Sequence, residues 1–222
     1  MDPQPVSLAE TLHSRRGFVI AIIDYGMGNV GSMANMLKKI GAEATITADP
    51  EVIASADKLI LPGVGAFDHG MRELYARALV PVIRDQVIEQ RKQLLGVCLG
   101  MQLLTERSEE GSCEGLGWVP GRTVRFLSIG ESGSRKVPHM GWNLAEPIRD
   151  DPLFAGLDSD ARFYFVHSYH VSCDNGSVLA TTNYGGPFVS AIRKGNIAGV
   201  QFHPEKSHRF GMQLLRNFAA NA

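Results

Sequence analysis

The chain has 222 residues, 44% of them hydrophobic, and a formal net charge of −1. That suits one folded unit with a good-sized core and offers neither a basic surface for nucleic acid nor a polybasic membrane patch. No run approaches the roughly 18 apolar residues of a membrane span. The three cysteines, Cys98, Cys113 and Cys173, are an odd count without C-x-x-C spacing; they argue against a disulfide framework and against a bound metal, and for a reduced cytoplasmic setting.

Residues 1–16, with Pro3, Pro5 and Arg15-Arg16, lack the apolar stretch of an export signal and read as a flexible lead-in to one domain over 17–222. Residues 18–24 (FVIAIID) are an apolar, β-branched run expected as a buried strand. Residues 30–40 are expected as a helix with Met33, Met36, Leu37 and Ile40 on one face. Further strands are expected at 44–47, 58–61 and 94–98, with helices at 68–78 and 82–91 between them. Strands alternating with helices predict an α/β fold with a mostly parallel central sheet covered on both faces. After Ser108 the texture changes. Residues 109–121 form a Gly-rich loop, and short strand candidates follow at 123–127, 162–166, 178–182, 189–193 and 197–202. Turn signals such as Asp174-Asn175-Gly176 and Lys194-Gly195-Asn196 separate several of them. This half is expected to be antiparallel and to extend the same sheet, before a closing helix at 207–220.

Chemistry concentrates where Gly96-Val97-Cys98-Leu99-Gly100 places a cysteine between the fourth strand and a helix. That is the position of a nucleophile elbow. Flanking glycines let strand and helix approach closely, and a helix start favours a thiolate. His203-Pro204-Glu205 lies about a hundred residues later; in an extended segment the two side chains would share a face, a base with its orienting acid. Leu61-Pro62-Gly63-Val64-Gly65 closes the third strand. It is expected to present a second N–H, from Val64 or Gly65, beside that of Leu99 to form an oxyanion hole, with glycines on both sides of Val64 allowing a peptide to flip. Gln102, one helical turn past Cys98, looks back into the pocket or out to solvent. His139, His167 and His170 read as hydrogen-bonded loop or core residues. Gly26-Met27-Gly28-Asn29-Val30-Gly31 matches G-x-G-x-x-G, with Asp49 where a ribose-binding acid would stand. A dinucleotide-binding module is therefore the alternative from a different class, although Asn29 also reads as an ordinary helix N-cap and the glycines as a turn.

The segments IDYGMGN (23–29), LPGVGAF (61–67), GVCLGMQLL (96–104), PHMGWN (138–143), YFVHSY (164–169) and GVQFHPEKS (199–207) span most of the chain. In them the chain resembles class I glutamine amidotransferases. Within that class it is similar to the glutaminase subunits of imidazole glycerol phosphate synthase, from histidine biosynthesis; PHMGWN and YFVHSY argue against the amidotransferases of pyridoxal phosphate or anthranilate synthesis. The resemblance implies a Cys98–His203–Glu205 triad that hydrolyses glutamine through a γ-glutamyl thioester without a cofactor. Gln102, Glu110, Ser168 and Tyr169 match positions that bind glutamine. It further implies a heterodimer with a (β/α)8-barrel cyclase that takes the ammonia and forms imidazole glycerol phosphate and an aminoimidazole carboxamide ribotide. Pro-Gly-Val-Gly replaces the Pro-Gly-Gly of many class members, which fits an oxyanion loop poorly formed until the partner binds.

Overall fold

The computed structural model describes residues 18–127 and 136–220; the lead-in at 1–16 lies outside the described residues. Five strands form the parallel part of an 11-stranded sheet: β1 (Val19–Ile23), β2 (Glu43–Thr47), β3 (Lys58–Gly63), β4 (Gln93–Cys98) and β13 (Ile197–Val200), in the order β2-β1-β3-β4-β13. Their side chains alternate between two hydrophobic clusters, one on each face. Ile20, Ile22, Ile60, Leu95 and Val97 join one cluster, whereas Ala21, Ile23, Leu59, Leu61 and Leu94 join the other. That double burial is why β1, β3, β4 and β13 are largely continuous apolar runs rather than alternating ones, whereas the edge strand β2 is mostly exposed.

Helices α1 (Val30–Lys39) and α6 (His208–Ala220) cover the first face through Met33, Leu37, Leu214, Leu215 and Phe218. Helix α3 (Phe67–Ala76) and α4 (Leu79–Arg84) cover the second through Phe67, Met71, Leu74, Leu79 and Ile83. The segment expected as a helix over 82–91 begins earlier and ends in a π-helical turn, Asp85–Glu89. The short α2 (Pro50–Ser55) was not foreseen. Asp49 caps it, accepting from the Glu51 N–H at 2.8 Å, with proline at the first position.

Beyond β13 the sheet turns antiparallel through β12 (Pro187–Lys194), β10 (Tyr169–Cys173) and β6 (Gly121–Arg125). β11 (Val178–Asn183) pairs with β12 and with β8 (Glu146–Pro147), and β5 (Arg107–Ser108) closes the edge. Two expectations are corrected here. The last strand runs parallel to β4, with Val200 opposite Val97, so the two halves join through a parallel pair. The strand at 162–166 does not extend the main sheet: β9 (Arg162–His167) forms a separate two-stranded sheet with the unforeseen β7 (His139–Leu144), and Tyr164 makes a single bridge to His203. PHMGWN carries too many polar and aromatic groups to show an apolar alternation, and only its partner reveals it as a strand.

Candidate active site

Cys98 ends β4 with φ 54° and ψ −110°, directly before α5 (Leu99–Leu103). A non-glycine residue there stores roughly 1–3 kcal/mol of strain, and the packing behind it explains why it persists. A Cβ on Gly100 would overlap the Leu61 carbonyl oxygen, and one on Gly96 would lie 2.8 Å from the Gly100 oxygen. Both glycines of the elbow are thus needed for close approach. The ladder between β3 and β4 sets Gly63 opposite Cys98, so the following residues Val64 and Gly65 reach the same pocket. Gly63 itself is glycine for packing rather than for flipping: its Cβ would lie 2.5 Å from Tyr25 Oη, 2.8 Å from Leu99 Cβ and 2.9 Å from Gly100 N. The positive φ of +103° belongs to Gly65 alone.

His203 follows β13 and is held by its main chain. Its N–H donates to Tyr164 O at 2.9 Å, and its carbonyl accepts from Ser207 Oγ at 2.6 Å. The segment is not extended as expected; Pro204–Lys206 is a 3-10 turn. The two side chains nevertheless meet, with His203 Nδ1 2.8 Å from Glu205 Oε1. Burial opposes charge on His203, but the Cys98 sulfur and the Glu205 carboxylate outweigh it and push the imidazole up to about 10. His203 Nε2 is buried and makes no fully formed hydrogen bond.

Cys98, Leu99, Gln102, Val64, Gly65, Glu110, Ser168, Tyr169 and His203 all line one pocket of about 510 Å³, a size that suits a small metabolite. Gln102 is buried, not solvent-facing, and its Nε2 donates to Tyr169 O and to Gln201 Oε1, each at 3.0 Å. Glu110 accepts from the Phe67 N–H at 2.9 Å, at the start of α3. Asp68 answers by accepting from the N–H groups of Ser112 and Cys113, each at 3.0 Å, so helix and loop are clasped reciprocally. These bonds hold the Asp68 carboxyl below the usual range.

His167 is neutral, lowered to about 3 by burial, with neighbouring histidines adding to the effect against the Tyr169 carbonyl. Its Nδ1–H donates to Tyr169 O at 2.7 Å, its Nε2 therefore accepts, and His139 Nδ1 stands 3.1 Å away to donate. His167, which lines the pocket, and His139 beside it are thus hydrogen-bonded structural residues. Gln201 escaped the sequence reading; its one signal was an amide inside the otherwise apolar run Ile197 to Phe202.

The dinucleotide alternative loses its residues to local structure. Asp49 is occupied as a helix cap. Gly28, at φ +106°, packs on the Pro62–Gly63 main chain, and a Cβ on Gly31 would meet nothing within 4 Å. Asn29 stands at the N-cap of α1 without a capping side-chain bond. Among the described residues no group of three or more His, Cys, Asp or Glu is placed to hold a metal, and no helix is long and apolar enough to cross a membrane.

Comparison with known proteins identifies the family and the fold. The family model described as "Glutamine amidotransferase class-I" matches residues 21–222. "Imidazole glycerol phosphate synthase subunit HisH 2" of Methanococcus maripaludis is 53% identical over 92% of this chain and 100% of that relative. The protein of the same name from Pseudomonas aeruginosa is 51% identical over 90% and 98%. Among solved structures, a glutamine amidotransferase shares the fold with a TM-score of 0.67 at 22% identity, covering 91% of this chain and 97% of that one. Another, from Thermotoga maritima, has a TM-score of 0.62 at 15% identity, covering 92% and 83%. The chain belongs to the class I glutamine amidotransferase family, in the group whose curated members are named as HisH subunits of imidazole glycerol phosphate synthase.

Proposed function

We propose that this chain hydrolyses glutamine to glutamate and ammonia on Cys98. The ammonia passes to a partner subunit, a (β/α)8-barrel cyclase that makes imidazole glycerol phosphate and an aminoimidazole carboxamide ribotide in histidine biosynthesis. The observation that carries the chemistry is a strained Cys98 sharing one pocket with His203, itself bonded to Glu205 at 2.8 Å. The names of the relatives support the pathway and the existence of a partner subunit.

The Cys98 sulfur attacks the side-chain amide carbon of glutamine. A C–S bond forms, and the carbonyl electron pair moves to oxygen, facing the N–H of Leu99 and that of Val64 or Gly65. The Leu99 N–H is free for this because the first N–H groups of a helix lack intrahelical partners. Charged His203 gives its proton to nitrogen as the C–N bond breaks, leaving ammonia and a γ-glutamyl thioester. With the sulfur acylated, the largest influence that holds the proton on His203 is gone while its burial remains. The imidazole is then a base, able to take a proton from the water that attacks the thioester. Glu205 orients the ring in both halves, and Gln102, Glu110, Ser168 and Tyr169 hold the amino-acid end of the substrate.

Val64 is 40% exposed at the pocket mouth, where a partner can bias the oxyanion loop by binding its active form more tightly. A missing oxyanion donor costs roughly 10²- to 10³-fold in rate. Glutamate release by the full chain, alone and with the cyclase, tests the reading. Cys98→Ala should abolish it with the fold intact, and the partner should raise kcat. Activity that survives in Cys98→Ala rejects the nucleophile, and equal kcat in both states rejects the activation.

A further inference from the structure

We propose that Gln201 is a further catalytic residue, whose side-chain amide donates to the Cys98 sulfur and steadies the charge that returns to it when the thioester is cleaved. This rests on Cys98 being the nucleophile.

Three polar groups form a chain whose direction is fixed. Tyr169 O can only accept, and it takes a bond from Gln102 Nε2 at 3.0 Å; the same nitrogen donates to Gln201 Oε1 at 3.0 Å. Gln201 must then turn its nitrogen the other way, and Nε2 stands 3.8 Å from Cys98 Sγ. Reversing either amide would set like groups face to face, so neither orientation is arbitrary. The placement follows from the fold. Val200 lies opposite Val97 in the β13–β4 ladder, so the next residue of each strand brings Gln201 beside Cys98. The Gln201 N–H donates to Ser190 O at 2.9 Å, and the residue is 0% exposed. A buried amide must be hydrogen-bonded to be tolerated, and here its donor is spent on the reacting atom.

The bond matters most when sulfur is negative. In the thioester the sulfur is uncharged. As water adds and the C–S bond breaks, the bonding pair returns to sulfur while the water proton goes to His203. A donor aimed there is stronger in that transition state than in the thioester, which is what accelerates a step. Attack on glutamine gains less, because the same bond also quiets the thiolate as a nucleophile.

Loss of the donor should therefore slow the second half-reaction selectively. In Gln201→Met, kcat and KM for glutamine should fall together by about tenfold, the value of one hydrogen bond to a charged group, with kcat/KM nearly unchanged. Rapid quench of the full chain with its partner should show a burst of ammonia, one per active site, without a burst of glutamate. The γ-glutamyl adduct on Cys98 should be trapped by acid and seen by mass spectrometry. Gln201→Leu removes the same donor with a different shape and should give the same signature; it decides the matter if the Met variant does not fold. A raised KM with no burst would mean that Gln201 only holds Gln102, and unchanged kinetics would equally overturn the proposal. A wild-type chain that makes no glutamate, or an active Cys98→Ala variant, would instead remove the nucleophile reading.

Discussion

The parallel and antiparallel halves of the sheet hold their site residues by different means. In the parallel half, Cys98 and the Val64–Gly65 loop are set by main chain: a register that puts Gly63 opposite Cys98, a positive φ, and glycines packed on carbonyls. At the junction with the antiparallel half, the main chains of His203 and Gln201 are anchored to Tyr164 O and Ser190 O, and their side chains are aimed by side-chain hydrogen bonds, His203 to Glu205 at 2.8 Å and Gln201 to Gln102 of α5 at 3.0 Å. In the proposed reaction, the nucleophile, which must sit at one angle to its substrate, is fixed by rigid backbone. A base that must gain and lose a proton is fixed by bonds that leave one ring nitrogen free.

The hardest way to break that contrast is through the backbone. Gly100→Ala would drive a methyl group into the Leu61 carbonyl and should cost about 3 kcal/mol or more, roughly 6–12 °C in Tm for a chain of this size. Gly31→Ala, where a Cβ meets nothing within 4 Å, should be neutral or stabilising by up to about 1 kcal/mol because it lies inside a helix. Similar melting for the two variants would contradict the main-chain account.

The side-chain half is probed by His203 and Glu205. His203→Ala should lower kcat by roughly 10²- to 10⁴-fold, and Glu205→Gln by less, because it orients without moving protons. The pH dependence has a definite sign. The folded His203 is raised to about 10, so its favourable contribution is complete below the ordinary histidine value near ~6.5 and is lost as pH rises through about 10. Glu205→Gln removes one charge that holds the proton, so the alkaline loss of stability should begin at lower pH. Melting curves between roughly pH 7 and 11 check this; an unshifted midpoint would separate Glu205 from the titration.

The smallest expected effect is at Tyr25. Its hydroxyl is buried without a hydrogen-bond partner among the described residues, and burial, followed by the nearby Cys98, raises its pKa. Tyr25→Phe removes an unsatisfied group at no loss of volume and should raise Tm by about 2–4 °C. A lower Tm would show that the hydroxyl has a partner, such as an ordered water.

Legibility in the sequence follows the same division. β1, β3 and β4 were plain because both faces of each are buried, so apart from Lys58 and Gln93 at the strand starts every position is apolar or glycine and no alternation has to be decoded. The elbow was plain because its glycines are the residue type that close main-chain approach requires. β7 and β10 were missed because polar and aromatic residues interrupt any apolar alternation, and in β7 His139 and Asn143 spend their polar groups on His167 and the Asn183 carbonyl, far away in sequence. Gln201 was missed for the same reason: its significance lies in Gln102 and Cys98, neither of which is near it in the chain. The 3-10 turn at Pro204–Lys206 shows the reverse case, a correct pairing reached from the wrong backbone shape.

The ladder that sets Gly63 against Cys98 has an evolutionary and engineering consequence. The proposed nucleophile and oxyanion loop are adjacent because neighbouring strands are hydrogen-bonded, whatever the length of chain joining them. Residues 66–92 are thus a tether whose exposed outer turn at residues 75–78 is expected to accept insertions, tags or new recognition loops without changing the alignment of the reacting groups. The helix face packed on the sheet cannot. Diversity among relatives and success in domain insertion should therefore concentrate at that turn, and circular permutants opened there should retain the assembled elbow.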